Sequence, residues 1–287
     1  MSVIAAGEAV AARRRGIPGL RGTGAVGHVC AGVIILALVV AVIGPHIAPY
    51  DPNFIQLRYA YVGPVGDHYL GFDGRGRDLF SRLLVGSQTA VFGAVAVATI
   101  SIFIGTVLAI AAAWRGGWLD NVVGGMLDVL FAFPGILIAV MAAAVFGPSL
   151  KTAVIALSVA YTPYIARVLR GAALRERAQL YVSALEVQGL GALAICIRHL
   201  VPNIIGLVVA QGTILFGYAM VDLAAISFIG LGVQSPQADW GVMVSEGRAG
   251  LLIGYPLESL SAGLCIVVVV VAVNMLGEQL ADRAAQR

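Results

Sequence analysis

The sequence predicts an all-α membrane protein with six transmembrane helices. Hydrophobic residues make up 60% of the chain and charged residues only 11%, and the mean hydropathy is +0.94. A soluble domain usually has about 25% charged residues. The apolar residues gather into long runs, and roughly 20 of them in a helix cross a hydrocarbon layer of about 30 Å. The alternating segments of about 10 residues that are typical of membrane β-barrels are absent from the sequence.

Six runs without a charged residue define the predicted spans. The fourth run is short, but Lys151 and Arg167 at its two ends can extend their charges to the membrane surfaces, so its helix should continue beyond them. A further apolar stretch, 223–233, is too short to cross and contains two glycines, which favours a re-entrant or pocket-lining segment. We interpret the first run as an uncleaved span rather than a signal peptide. The six runs are 29–43, 89–113, 129–150, 152–166, 200–221 and 259–277.

The placement of basic residues predicts that both termini are cytosolic. With this orientation twelve arginines lie inside and six basic residues outside, in line with the positive-inside rule. Four of the outside arginines fall in the first external loop, which opposes the trend. The resulting organisation is a cytosolic tail (1–25) and a transmembrane domain (26–287), whose main loops are external 46–86, internal 171–200 and external 222–258.

The internal loop between the fourth and fifth spans has a helical apolar pattern. Val182, Leu185, Gly189, Leu193 and Cys196 recur every three or four residues and would line one side of a helix. The glycines at 189 and 191 predict a helix, a turn and a second helix. A helix lying flat on the membrane surface is the alternative interpretation.

The sequence also predicts how polar residues in and near the spans are paired. Asp128 and Asp222 are expected near a membrane surface, bonded to a helix end or paired with an arginine rather than relaying protons. Hydrogen bonds between helices are expected for Asn203, Gln211 and Asn274. A dense cluster of alternating charge should brace the first external loop, with contact to an extracytoplasmic partner as the alternative. Its members are Asp73, Arg75, Arg77, Asp78 and Arg82.

The sequence contains no recognisable catalytic machinery. Lys151 is its only lysine and is not part of a GxxxxGK[ST] phosphate loop, so the chain is not an ATPase of that type. HExxH and GxSxG motifs are absent, and the three scattered cysteines form no metal-binding pattern. No enzyme activity, cofactor, metal or nucleic-acid partner is therefore expected for this chain.

Several blocks resemble the C-type permease subunit of the ATP-binding-cassette (ABC) importers for dipeptides, oligopeptides and nickel. Residues 68–83 (HYLGFDGRGRDLFSRL) resemble a block that follows the first span in that family. Residues 226–234 (ISFIGLGVQ) with Asp239-Trp240-Gly241, residues 198–203 (RHLVPN) and residues 274–278 (NMLGE) resemble three later blocks in the family's order.

The internal loop resembles the E-A-A motif with which such permeases contact their ATPases. Ser183-Ala184-Leu185 occupies the E-A-A position, Gly189 the expected glycine and Pro202 the expected proline. The motif's acidic residue is replaced by Ser183 and its second alanine by Leu185. The role of the acidic residue is therefore in doubt, and Glu186 is a candidate to replace it.

The resemblance implies a type I ABC importer permease of a bacterial inner membrane that translocates short peptides. Its partners would be a second permease, two cytosolic ATPases carrying ATP and Mg²⁺, a solute-binding protein and the lipid bilayer. Within the loop, Leu185 would anchor, Glu186 make a polar contact and Gly189 form the turn. The first alternative is a permease that imports nickel or another small solute. Two further alternatives are a secondary transporter driven by an ion gradient and a purely structural membrane scaffold.

The resemblance also assigns residues to two sites, one facing the ATPase and one facing the binding protein or forming a gate. The predicted ATPase-coupling residues are Tyr181, Ser183, Ala184, Leu185, Glu186, Gly189, Arg198 and Pro202. The predicted external or gate residues are Asp73, Arg75, Arg77, Asp78, Arg82, Phe228, Gly230, Gly232, Gln234 and Trp240.

Overall fold

A computed structural model describes residues 25–285, and this part of the chain is helical without a β-strand. The predicted N-terminal tail lies almost entirely outside the described residues. The helices are α1 (Ala25–Ile47), α2 (Leu79–Arg115), α3 (Gly117–Phe131), α4 (Gly135–Phe146), α5 (Leu150–Arg177), α6 (Leu180–Val187), α7 (Ala192–Ile195), α8 (Val201–Phe228), α9 (Trp240–Glu246), α10 (Arg248–Leu252) and α11 (Leu257–Ala285). A 3₁₀ turn (Leu57–Tyr59) precedes α2, and a π-helical turn (Cys196–Leu200) joins α7 to α8.

The long helices form one bundle in which α2 packs mainly against α5 and α1, and α8 against α11. Small residues allow α2 and α5 to approach closely. A Cβ at Gly105 of α2 would lie 2.7 Å from Cγ2 of Ile165 in α5. Ala109 and Ala113, one and two turns further along α2, are also buried in this contact. Close contact through small residues is typical of helix pairs in membranes.

Within residues 25–285, five helical segments are long and apolar enough to cross a membrane, or six if a bent pair counts as one span. The bent pair is α3 and α4, which meet at an angle of 83°. The break falls at Pro134, which cannot donate a backbone hydrogen bond. The all-helical membrane fold class is thus confirmed, with five or six candidate spans among the described residues, but the single continuous third span expected over 129–150 is wrong.

Several predicted helix boundaries are also wrong, because a run free of charge underestimates the length of a helix. Helix α2 begins ten residues before the predicted start at position 89, so Arg82 lies in its first turns rather than in a loop. Helix α5 extends beyond both Lys151 and Arg167, as expected, and continues through Pro163 to Arg177. Residues 223–228 are not a re-entrant segment, since they complete α8.

Candidate functional site

The segment between α5 and α8 is a short helical excursion that exposes apolar side chains. Helices α6 and α7 are joined by a turn at Gly189, whose φ of +81° belongs to the left-handed region that favours glycine. The predicted helix, turn and helix are therefore present. Leu180 and Val187 are each 88% exposed, and Leu193 is 73% exposed. We refer to residues 180–195 as the α6–α7 segment.

Only part of the predicted apolar stripe is buried against the bundle. Val182 and Cys196 are buried, as is Ile195, and Leu185 is half-buried. Leu193 and Gly189 were expected on the same side but are exposed. The pattern fails there because the turn at Gly189 changes the helix direction, so residues 182–196 do not share one face.

A polar network fixes the α6–α7 segment to the ends of the two flanking spans. The Tyr181 hydroxyl donates to Oε1 of Glu176 over 2.7 Å, and Asn203 Nδ2 donates to the same oxygen over 2.6 Å. Asn203 Nδ2 also lies 3.1 Å from the Tyr181 hydroxyl. Burial and the bond to Glu176 raise the pKa of Tyr181 to about 12. Three elements, α5, α6 and α8, are thus joined through one carboxylate.

Arg177 attaches the same end of α5 to α2. Its Nη1 donates to the carbonyl oxygen of Ala113 over 2.6 Å, and its guanidinium lies 5.0 Å from the centre of the Trp114 ring. A cation at the C-terminus of a helix bonds carbonyl groups that have no partner within the helix. The α6–α7 segment therefore begins from a point that is fixed in the bundle.

The predicted coupling residues lie in and beside this segment, with different degrees of exposure. Ser183, Ala184 and Glu186 are exposed on α6, and Arg198 is exposed on the π-helical turn. Pro202 lies in the first turn of α8. Sequence reasoning did not assign Glu176 or Arg177 to the site, and it interpreted Asn203 only as a helix-packing residue. Their signal was weak, since each lies at the end of an apolar run where polar residues are common.

A second site is a buried charge cluster that joins the segment before α2 to α9 and α11. Arg77 Nε donates to Oδ2 of Asp73 over 2.5 Å, and Arg77 Nη2 donates to Oε2 of Glu246 over 2.5 Å. Arg82 Nη2 lies 3.2 Å from the same Glu246 oxygen. Burial alone would raise the pKa of Glu246, but the two arginines outweigh it and lower the pKa. We define the buried charge cluster as Asp73, Arg77, Arg82, Glu246 and Glu258.

The cluster corrects the expectation of exposed, weak ion pairs within one loop. The side chains of Arg77 and Arg82 are at most 1% exposed, and their partner Glu246 comes from α9, more than 160 residues away. Arg75 is half-exposed and reaches Glu246 from the surface. Asp78 does not join the cluster, because it caps α2 and bonds His68. No sequence pattern places Glu246 or Glu258 in this cluster.

The carboxylates of the cluster are arranged as an ion-pair network rather than a metal site. Oxygens of Asp73, Glu246 and Glu258 lie within 4.8 Å of one another, close enough to share a cation. Arg77 and Arg82 already supply two positive charges, and both bond or closely approach the carboxylates. The network attaches the 48–78 segment to the far end of the chain.

The other predicted gate residues shape the turn between α8 and α9. Gly230 has a φ of +80°, and Gln234 Nε2 donates to its carbonyl oxygen over 2.7 Å. A Cβ at Gly232 would lie 2.5 Å from the Ser227 hydroxyl oxygen. Phe228 is half-buried, with the Arg248 guanidinium 5.7 Å from its ring centre.

Trp240 attaches the start of α9 to α2. It is buried, and its indole nitrogen donates to the carbonyl oxygen of Leu83 over 2.9 Å. Its role in the structure is therefore to pack the bundle, and it does not present a surface to a partner.

Polar residues inside the spans follow the predictions only in part. Asp128 pairs with Arg167, as expected. Asp222 is not at a helix end, and it accepts a hydrogen bond from the Tyr161 hydroxyl rather than pairing with an arginine. Asn203 makes the expected bond between helices, whereas the side-chain oxygens of Gln211 and Asn274 are buried without a partner among the described residues.

The fold and these sites define a multi-pass membrane protein with a fixed, exposed helical segment between α5 and α8. Residues 101–287 match the family described as "Binding-protein-dependent transport system inner membrane component". The chain belongs to this family, the permease subunits of ABC importers. It is a translocation subunit rather than an enzyme, and its family works in general with ATPase and binding-protein partners.

Relatives and solved structures agree with this assignment. The chain is 37% identical over 250 residues to the glutathione transport system permease protein GsiD of Escherichia coli O6:K15:H31, covering 87% of this chain and 82% of the relative. It is 33% identical over 256 residues to GsiD of Pectobacterium atrosepticum, covering 88% and 85%. The fold is similar to the inward-facing methionine ABC transporter MetNI, with a TM-score of 0.51, 18% identity and coverage of 68% of this chain and 94% of that chain.

Proposed function

We propose that this chain imports short peptides across a bacterial inner membrane, and that its α6–α7 segment transmits the movement of the ATPases to the spans. The substrate class is supported by two GsiD relatives, which are named for the transport of glutathione, itself a small peptide. The blocks quoted from the sequence are shared by peptide and nickel permeases, so the preference for peptides depends on these relatives.

The observation that carries the proposal is the exposure of large apolar side chains on a segment that is held in place. Leu180 and Val187 lie at the two ends of α6 and are each 88% exposed. Burying apolar surface is favourable by about 25 cal/mol per Å², so a partner that covers this short helix gains binding free energy. Because Glu176 joins α6 to α5 and α8, and Arg177 attaches the end of α5 to α2, a push on α6 moves the spans with it.

The expected assembly contains a second, related permease, two cytosolic ATPases and an external solute-binding protein. Both termini are cytosolic in this proposal. Two of the arginines that oppose the positive-inside trend, Arg77 and Arg82, are buried and paired with Asp73 and Glu246, so they have a structural role in the external segments. The 48–78 and 229–256 segments would then face the binding protein or form the gate.

Leu185, Glu186 and Gly189 divide the coupling role among them. Leu185 is half-buried and accepts a backbone bond from Leu190, which closes the turn. Glu186 is exposed and is free to contact an ATPase. The turn requires a left-handed backbone conformation at Gly189, which is unfavourable for a residue with a side chain.

The test is uptake and ATP hydrolysis in reconstituted vesicles that contain the full assembly. The double variant Glu186→Arg with Gly189→Phe is expected to retain ATP hydrolysis and lose peptide uptake. The matched control is Glu278→Arg with Gly117→Phe, which changes an exposed acid and an exposed glycine of φ +54° outside the α6–α7 segment and outside the proposed external gate. If uptake and stimulated hydrolysis both survive in the first variant, the α6–α7 segment does not couple the two.

A further inference from the structure

Asp222 is a carboxylate inside a membrane span without a cationic partner among residues 25–285. The two acids of α3, Asp120 and Asp128, pair with Arg170 and Arg167. Asp222 lies six residues before the end of α8, about 9 Å along the helix. Its partner Tyr161 lies eleven residues into α5, about 16 Å from the start of that helix.

One oxygen of this carboxylate is held by the protein and the other is available. The Tyr161 hydroxyl donates to Oδ2 over 2.6 Å. Oδ1 accepts no hydrogen bond in the described part of the chain, and the residue is partly exposed. Ionisable groups in membrane spans are costly, face a cavity or another subunit, and commonly mark a substrate pathway.

Tyrosine side chains lie near Asp222 on α8 and on α5. Tyr218 precedes it by one helical turn, so both side chains lie on the same face of α8. Tyr218 is 53% exposed, and it lies near Tyr161 and Tyr164, which share a face of α5. Ring faces attract organic cations, and the attraction is strongest where water is excluded.

We propose that Asp222, oriented by Tyr161 and flanked by Tyr218, binds the α-ammonium group of a peptide as it passes through the permease. This site rests on the proposed peptide-import function. An α-amino group has a pKa of about 7.7–8.0 and is mainly charged at neutral pH. The ammonium group donates to Oδ1 and lies against the ring of Tyr218, which supplies the cationic partner that Asp222 lacks among residues 25–285.

The test compares uptake of a tripeptide with a free amino terminus with uptake of the same tripeptide N-acetylated, in vesicles that contain the full assembly. Asp222→Asn is expected to lower the free-to-acetylated uptake ratio at least tenfold, whereas Asp222→Glu retains it. The binding protein is the same in each assembly, so its own preference cancels. The matched control Asp128→Asn neutralises another acid in a span and should change uptake of both peptides equally.

The outcomes separate this site from the proposed function. A wild-type assembly that imports neither peptide contradicts peptide import itself. An unchanged free-to-acetylated uptake ratio in Asp222→Asn overturns the proposed site. If the Asp222→Asn chain purifies without the second permease, the carboxylate belongs to a contact between subunits, and the proposed site is again overturned. If the wild-type assembly imports only the peptide with the free amino terminus, uptake of that peptide is the measurement. Asp222→Asn should abolish this uptake and Asp222→Glu should retain it. Equal uptake of the free peptide by the two variants overturns the proposal.

Discussion

Asn203 at the start of α8 donates a hydrogen bond over 2.6 Å to Oε1 of Glu176 near the end of α5. The Tyr181 hydroxyl of α6 bonds the same oxygen. One carboxylate thus connects two spans and the short helix between them. In the proposed mechanism this connection makes α6 move with the bundle rather than bend away from it.

Removing the shared acceptor should uncouple hydrolysis from uptake. A hydrogen bond to a charged group contributes about 1.5–3 kcal/mol, so Glu176→Ala is expected to lower peptide uptake per ATP hydrolysed by roughly fivefold or more. Hydrolysis itself should persist, since the exposed face of α6 is unchanged. Glu278→Ala, which removes an exposed acid of α11, is the control. Equal uptake per ATP in wild type and Glu176→Ala would contradict a role for the connection.

The raised pKa of Tyr181 predicts a loss of stability at high pH. The folded pKa of about 12 exceeds the ordinary tyrosine pKa of about 10, so the unfolded state releases this proton first. The stabilisation is fully present below pH 10 and is lost as the pH rises from about 10 to about 12. The absorbance titration of wild type minus that of Tyr181→Phe should show one tyrosine ionising near pH 12. A difference curve centred near pH 10 would refute the prediction.

The buried charge cluster should be sensitive to loss of one partner. Arg77 is 1% exposed and bonds both Asp73 and Glu246, so Arg77→Ala leaves two buried carboxylates poorly compensated. Breaking a buried pair costs about 3–5 kcal/mol, whereas an exposed pair contributes only about 0–1 kcal/mol. Arg75→Ala removes a half-exposed arginine from the same Glu246 and is the matched control. Thermal unfolding in detergent should show a clearly lower midpoint temperature for Arg77→Ala than for Arg75→Ala. Similar midpoint temperatures would mean that the buried charge cluster does not stabilise the fold.

The close approach of two backbone segments at Gly76 gives a further prediction. Gly76 has a φ of +73°, and a Cβ there would lie 1.9 Å from the Gln56 carbonyl oxygen. Gly66 has a φ of +54° with open space around it. Both alanine variants carry the left-handed strain of about 1–2 kcal/mol, but only Gly76→Ala must also separate the segments. We expect a lower unfolding temperature for Gly76→Ala, and equal values would exclude the contact.

The sequence predicted the helical class and the α6–α7 segment because both depend on local signals. Runs of apolar residues specify spans, and Gly189 specifies the turn. The start of α2 was missed because Arg82 looked like a loop residue. Its charge is compensated in the buried first turns of α2 by Asp73 and by Glu246, which is far along the chain. Pairings of this kind depend on how the spans pack, and a single sequence does not reveal them.

The 83° break between α3 and α4 was missed for a similar reason. The sequence places Pro134 inside the third apolar run, and a proline alone does not determine whether a helix bends or stops. The network around Glu176 was missed as well, because its three members lie on three different elements.

Photocrosslinking from α6 tests the central claim most directly. A photoreactive amino acid at Leu180, which is 88% exposed, is compared with one at Leu252 of α10, which is 90% exposed. Both are placed in the full assembly. The account predicts crosslinks from position 180 to an ATPase subunit and none to an ATPase from position 252. Crosslinks to an ATPase from position 252, with none from position 180, would contradict both the coupling role and the orientation.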